Sequence, residues 1–319
     1  MAVYTQVSGE DMTLFMARYD LGALVSFHGI AEGVENTNYL LHTDKGQYIL
    51  TLYEKRVNSG DLPFFLGLME HLAEKGLPCP TPLHDKGGVV LQELAGRQAA
   101  LISFLEGYSV HRPRVSHCGH VGRSLATMHI AGEGFALQRT NALSVQGWRA
   151  LADATASRAD TVALGLSEAI AEEIAFLEQN WPEGLPTGII HADLFPDNVF
   201  FLGDELSGFI DFYFACNDTL AYDIAVCLNA WCFEEPNAFN VTKARALLRR
   251  YNEKRSLNAN ELAALPILAR GAALRFLLTR LYDWFHTCGS ALVRPKDPRE
   301  YWRKLRFHQK VKSVGDYGL

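Results

Sequence analysis

Cysteine is scarce in this sequence and nowhere paired. The six thiols, Cys79, Cys118, Cys216, Cys227, Cys232 and Cys288, lie scattered and form no Cys-x-x-Cys. Cys227 and Cys232 can approach on a helix, but no second pair completes a zinc site. The pattern excludes a disulfide scaffold and predicts reduced, buried thiols in a cytoplasmic protein. An excess of basic residues is missing too. Against 36 acids stand 30 bases, for a formal net charge of −6. Nonspecific nucleic-acid binding needs clustered Lys and Arg, so nucleic acid is not an expected partner. One local basic stretch runs from Arg294 to Lys312. Unbroken apolar runs are also lacking. The most apolar late stretch, Leu262 to Leu278, is interrupted by Pro266, Arg270 and Arg275, so no membrane span is expected. The N-terminus, Met1-Ala2-Val3-Tyr4-Thr5, lacks the basic segment and apolar run of a secretory signal.

What is present is material for a large core. The chain has 319 residues, 48% of them hydrophobic and 11% aromatic, which excludes a disordered or collagen-like chain. That length suggests about two domains. Ser8-Gly9-Glu10-Asp11 resembles a capping box ahead of Met12, Phe15, Met16 and Tyr19 at helical spacing, with Gly22 as a stop. Strands are expected over Leu24 to Ile30, Asn38 to His42 and Gln47 to Tyr53, the last two joined by a hairpin at Thr43-Asp44-Lys45-Gly46. Asp61 and Pro63 open a helix with Leu62, Phe65, Leu66, Met69 and Leu72 on one face. Val89 to Glu93 and Gln98 to Phe104 read as two further strands.

After Gly107 the pattern turns helical. Helices are predicted over Val115 to Ile130, Ser167 to Trp181, Leu220 to Phe233, Val241 to Lys254 and Asn258 to His286. Short strands are expected at Thr187 to Ile190, Val199 to Leu202 and Leu206 to Ile210, while residues 131–165 are the least periodic. The expectation is an α+β chain: a small antiparallel sheet lobe over 1–105 and a mostly helical lobe over 106–319.

The chemistry is concentrated in Ile190-His191-Ala192-Asp193-Leu194-Phe195-Pro196-Asp197-Asn198-Val199-Phe200. It holds His-x-Asp, then Asn five positions after the Asp, and the next strand ends in Phe209-Ile210-Asp211-Phe212. Phosphoryl transfer needs an acceptor for the attacking hydroxyl's proton and hard oxygens for magnesium. Asp193 can serve as the first, and Asn198 with Asp211 as the second. A chance match to the His-x-Asp-x4-Asn spacing is expected in roughly one such chain in a hundred. The plain alternative is a loop in which Asp193 caps a turn and His191 packs as a core histidine.

These residues resemble the aminoglycoside phosphotransferase and choline kinase superfamily, which shares the protein-kinase-like fold. Gly33-Val34-Glu35-Asn36-Thr37-Asn38-Tyr39, Tyr48-Ile49-Leu50-Thr51-Leu52-Tyr53-Glu54, Leu62-Pro63-Phe64-Phe65-Leu66 and Leu274-Arg275-Phe276-Leu277-Leu278 resemble the bacterial homoserine kinases within it. The resemblance implies a two-lobed kinase, with ATP and Mg2+ as cofactors and L-homoserine as the small-molecule partner, on the way to threonine. It implies Asp193 as catalytic base or hydroxyl-orienting group and Asn198 and Asp211 as metal ligands. His191 would brace the loop, and Asp223 would tie it down or be a plain helix-start acid near the helix dipole.

Two departures stand out. Kinase-like folds place a Lys on the third strand, paired to a Glu on the next helix; here Thr51 takes the Lys position, and Phe65 and Leu66 stand where the Glu should fall. Losing both together avoids a lone buried charge. Lys55 and Arg56 lie nearby. Gly29-x3-Gly33 is a weak glycine loop, leaving Asn36, Thr37 and Asn38 as candidate polar nucleotide contacts. The second departure is Tyr213, where protein kinases carry Gly. Phe104 and Glu106 lie at the lobe junction, whose backbone would meet adenine. For the acceptor, Arg275 and Arg280 are candidate carboxylate partners, with Tyr213 and Asp218 lining the same cleft. The rivals are the same fold acting on choline, ethanolamine, hydroxylysine, methylthioribose or an aminoglycoside, and an inactive nucleotide-binding module.

Overall fold

The computed structural model describes residues 4–30, 36–54, 58–235, 238–287 and 295–319. Gly33, Lys55, Arg56, Cys288 and Arg294 lie outside the described residues. The chain divides into two compact units, Met1–Glu106 with Ser207–Tyr213, and Gly107–Leu206 with Phe214–Leu319. The first unit is therefore not one continuous segment: the chain returns to it a hundred residues after leaving.

In the first unit, helix α1 (Gly9–Met16) begins where the Ser8 side chain accepts the Asp11 N–H. Strands β1 (Leu24–Gly29), β2 (Thr37–Thr43), β3 (Gly46–Leu52), β4 (Leu91–Leu94) and β5 (Arg97–Ser103) form one antiparallel sheet in the order β1-β2-β3-β5-β4. The hairpin expected at Thr43–Gly46 sets the register that pairs Asn38 with Thr51. Alternation along the strands decides the two faces. Tyr39, Leu41, Leu50, Leu52, Ala99 and Leu101 pack with Met12, Phe15 and Met16 of α1. Asn38 and Thr51 fall on the opposite face. Helix α2 (Leu62–Glu74) carries Pro63 in its first turn, where a missing N–H costs nothing, and buries Leu62, Phe65, Leu66, Met69 and Leu72.

The second unit contains α3 (Val115–Ala131), α4 (Val145–Ala159), α5 (Leu166–Asn180), β6 (Thr187–Ile190) and β7 (Val199–Leu202). Strand β8 (Glu205–Phe209) follows and leads into the first unit. After it come β9 (Cys216–Thr219), α6 (Leu220–Trp231), α7 (Val241–Lys254), α8 (Ala259–His286) and α9 (Pro298–His308). Strands β6 and β9 pair antiparallel, Ile190 opposite Cys216. Helix α3 lies so close to α7 that a Cβ on Gly122 would strike the Leu247 carbonyl. Helix α8 starts with a reciprocal cap between Asn258 and Glu261 and carries Pro266 inside its first turns. By length and composition it could cross a membrane, but 72% of its apolar window is buried within the protein, as in a core helix.

Three elements escaped the sequence patterns. Helix α4 lies in the stretch that reads as least periodic and buries only Trp148, Thr155 and Ala159. Strand β9 is polar, Cys-Asn-Asp-Thr, and is defined by its pairing. Helix α9 occupies the basic stretch.

Candidate active site

The segment from His191 to Asn198 is the loop between β6 and β7, and several of its backbone polar groups are held by identified partners. The His191 and Ala192 N–H groups donate to the two oxygens of Asp223, at 2.7 and 2.9 Å. The Ala192 carbonyl accepts from Arg275. The Asp193 N–H donates to His191 Nδ1 at 3.3 Å. The Asp193 carbonyl accepts from the Asn198 amide at 2.8 Å and from Phe195 N–H at 2.8 Å. The Leu194 carbonyl accepts from Trp231 Nε1 at 2.7 Å. Ala192 sits at φ +62°, a left-handed conformation that a side chain adopts only when its surroundings impose it.

Asp223 is fully buried near the start of α6. Besides the two backbone donors it meets His129 Nε2 at 3.2 Å, whose Nδ1 lies 2.8 Å from the Tyr251 hydroxyl. Burial alone pushes the Asp223 carboxyl up, but the His129 hydrogen bond and charge, His191 and the backbone donors outweigh it and hold the group below the ordinary range. It is thus a fixed anion around which the loop is wound, and the expectation for it as a plain helix-start acid does not describe its contacts.

Asp193 keeps 20% of its side chain exposed. Burial raises its pKa, against the pull of Arg275, His191, Lys296 and the Asn198 amide. Asn198 Nδ2 also reaches Asp193 Oδ2 at 3.2 Å. With its nitrogen spent on Asp193, the amide oxygen is the atom left to ligate a cation. Its chemistry fits magnesium, which takes hard oxygens.

Arg275 does not stand as an open carboxylate clamp. It is 1% exposed, donates to a loop carbonyl, and lies over the Phe214 and Phe276 rings at 5.5 and 4.5 Å. Arg280 is likewise engaged, donating to Glu300 at 2.6 Å and to the Asp297 carbonyl at 3.3 Å over the Tyr301 ring. Asp218, on β9, accepts from Asn141 at 2.7 Å and from Thr219 N–H at 2.7 Å.

In the first unit, Asp211 is exposed two residues beyond β8 at φ +64°. Thr51 is 3% exposed and donates to Asn38 Oδ1 at 2.8 Å. Thr37 has no capacity to spare: it donates to Glu54 at 2.8 Å and accepts from Tyr4 and Thr5 N–H at 2.9 and 3.2 Å. Asn36, also buried, accepts the Glu54 N–H at 3.3 Å. These contacts secure the end of β3 and use the whole Thr37 hydroxyl, whereas Asn36 and Asn38 each engage only the amide oxygen and keep the amide nitrogen. Glu54 is also held by Arg97 at 2.9 Å. Phe104 is 37% exposed, and the Glu106 carbonyl accepts from Ser207. Tyr213 packs edge-on against Tyr53 and Phe65, its hydroxyl 3.3 Å from that of Tyr53, and burial pushes its pKa up to about 12.

His129 and Trp231 were not singled out by the sequence. Trp231 could have been, because Asp223, Cys227 and Trp231 share one face of α6 at intervals of four. Nothing local marks His129.

The model of the phosphotransferase enzyme family matches residues 26–259. A homoserine kinase of Xanthobacter autotrophicus is 63% identical over 319 residues, covering 100% of this chain and 99% of that protein. One from Sinorhizobium fredii is 64% identical, covering 100% and 98%. Among solved structures, an amicoumacin kinase in complex with AMP-PNP and Ca2+ has a TM-score of 0.70 at 16% identity, covering 96% of this chain and 93% of that one. The choline kinase of Cryptosporidium parvum has a TM-score of 0.68 at 14% identity, covering 98% and 97%. These two show the kinase-like fold. With its Asp–Asn loop in place, and full-length identity above 60% to the relatives named, the chain belongs to the phosphotransferase enzyme family, in its homoserine kinase branch.

Proposed function

We propose that the chain transfers the γ-phosphoryl group of ATP to the side-chain hydroxyl of L-homoserine, giving O-phospho-L-homoserine and ADP. The observation that carries the substrate is the 63% and 64% identity, over the whole chain, to homoserine kinases. The reaction class is supported by the loop geometry. Asp193 projects from a backbone that is pinned on both sides, with a carboxylate kept partly open. In this reading it orients the acceptor hydroxyl and takes its proton as the phosphoryl group moves. Asn198 and Asp211 would hold magnesium, which when bound neutralises charge on the phosphates. Among the described residues no three His, Cys, Asp or Glu side chains form a self-sufficient metal cluster. Two protein oxygens completed by phosphate and water suit magnesium well.

His191 and Asp223 keep the loop in shape and touch no reacting atom. Asn38, the backbone at Phe104 and Glu106, and the surface around Thr51 are the nucleotide side. A cytoplasmic site of action belongs to the same reading, supported by free thiols at Cys79, Cys118, Cys216, Cys227 and Cys232.

The test is ADP release with magnesium-ATP and a panel of L-homoserine, D-homoserine, L-serine, L-threonine, choline, ethanolamine, hydroxylysine, methylthioribose and kanamycin. Selective turnover of L-homoserine is expected. Turnover of another acceptor keeps the Asp193 chemistry and removes the substrate. ATP binding without any turnover points to an inactive module.

A further inference from the structure

We propose that Arg275 is a positioning residue for phosphoryl transfer: its guanidinium holds the Ala192 carbonyl and so fixes the left-handed turn that aims Asp193. The inference rests on the reading of Asp193 as the group that meets the acceptor hydroxyl.

The peptide on either side of Ala192 is gripped by opposite charges. Asp223 takes the N–H groups of His191 and Ala192, and Arg275 takes the carbonyl of Ala192. With both grips in place an alanine can remain at φ +62°; with one removed, the peptide is free to relax toward an ordinary conformation and Asp193 turns with it.

Arg275 NH2 also lies 4.0 Å from Asp193 Oδ1. At that separation it attracts the carboxylate without capping it, so the oxygens stay available.

Stability does not explain this arginine. It is 1% exposed, and its Nε finds no acceptor among the described residues. A buried cation with an unsatisfied donor is a costly occupant of a helix segment whose neighbours Leu274, Phe276, Leu277 and Leu278 are all buried, and an apolar residue would serve the core better there. Its burial also separates it from a substrate-binding arginine, which must be reachable by the substrate's carboxylate.

The experiment compares wild type, R275M and R275K as full-length chains, with the acceptor that wild type turns over in the panel. For R275M, kcat is expected to fall about 100-fold, the scale of an ångström-sized misplacement. KM for ATP and for the acceptor should stay near wild type. R275K keeps the charge and puts its donors on a single nitrogen in place of the planar fork, so an intermediate loss, about tenfold in kcat, is expected. A raised acceptor KM at unchanged kcat would make Arg275 a substrate contact and overturn the proposal, as would wild-type kcat in both variants. Should R275M fail to show a cooperative melt, R275K decides by the same split between kcat and KM. If wild type turns over no acceptor, the functional reading fails on its own. Arg275 is then tested by amide exchange at residues 191–194, which should accelerate in R275K; unchanged protection overturns the proposal.

Discussion

At the residue scale, the site depends on charges placed where backbone needs them. Asp223 is the clearest case. Asn in its place supplies one acceptor where two N–H donors converge, and turns a donor toward the other. Asp223→Asn is expected to lose about 2–3 kcal/mol of stability and to lower kcat, checked by denaturant melts alongside kinetics. Asp193→Ala should abolish turnover while titration still detects ATP binding, because the proposed nucleotide contacts at Asn38, Phe104 and Glu106 are made by other residues. Thr51→Lys restores the charge usual in kinase-like folds, but at a position 3% exposed with no acid at Phe65 or Leu66 to meet it. A cost of several kcal/mol is expected, with no gain in ATP affinity. A stable variant with a lowered KM for ATP would contradict this. Asp193 and Asn198 were legible as a pair because the spacing itself carries the chemistry. The saturation of Thr37 was not, since its partners, Tyr4, Thr5 and Glu54, lie far away in sequence or on other elements. Arg275 looked like a clamp for the same reason: its side chain is explained by the φ of a residue 83 positions earlier.

At the element scale, apolar periodicity identified what buries a stripe and missed what does not. Helices α2, α3, α6, α7 and α8 each bury a broad face and were legible. Helix α4 buries three residues, and β9 has no apolar alternation, so neither left a pattern. Close packing is a further feature that periodicity hides. Gly122 looks like a weak point within α3, yet it is what lets α7 approach. Gly122→Ala must push the Leu247 carbonyl away. A loss of about 1–3 kcal/mol is expected from such overpacking, in place of the gain that alanine normally brings to a helix. A raised melting temperature would refute it.

At the scale of the whole molecule, the C-terminal end is tied to the helical core through a buried histidine. His308 Nε2 meets Asn229 Oδ1 at 3.2 Å, and its Nδ1 meets the Tyr317 hydroxyl at 2.7 Å. Asn229 spends its amide nitrogen on the Ala225 and Ala269 carbonyls, so its oxygen must accept and His308 Nε2 must carry the proton. Burial, with Lys304 and Arg270 nearby, lowers the His308 pKa to about 3 from 6.5. The unfolded chain therefore binds this proton first. The contribution is intact above about pH 6.5 and shrinks as pH falls toward 3, by up to roughly 1.4 kcal/mol per pH unit. His308→Gln should remove that slope, read as the difference between wild-type and variant denaturation midpoints at pH 7.5 and 5. An unchanged pH dependence would show that His308 is not its source.

The return of residues 207–213 to the first unit has a consequence for synthesis. Phe209 N–H donates to the Pro78 carbonyl at 3.2 Å, and Tyr213 packs against Tyr53 and Phe65. A ribosome adding roughly 5–20 residues per second needs on the order of 5–20 s to go from residue 106 to residue 213. For that interval the first unit has its sheet but lacks its last segment, and the Tyr53 and Phe65 rings wait without Tyr213 against them. A translational pause within codons 107–206 would prolong the exposure.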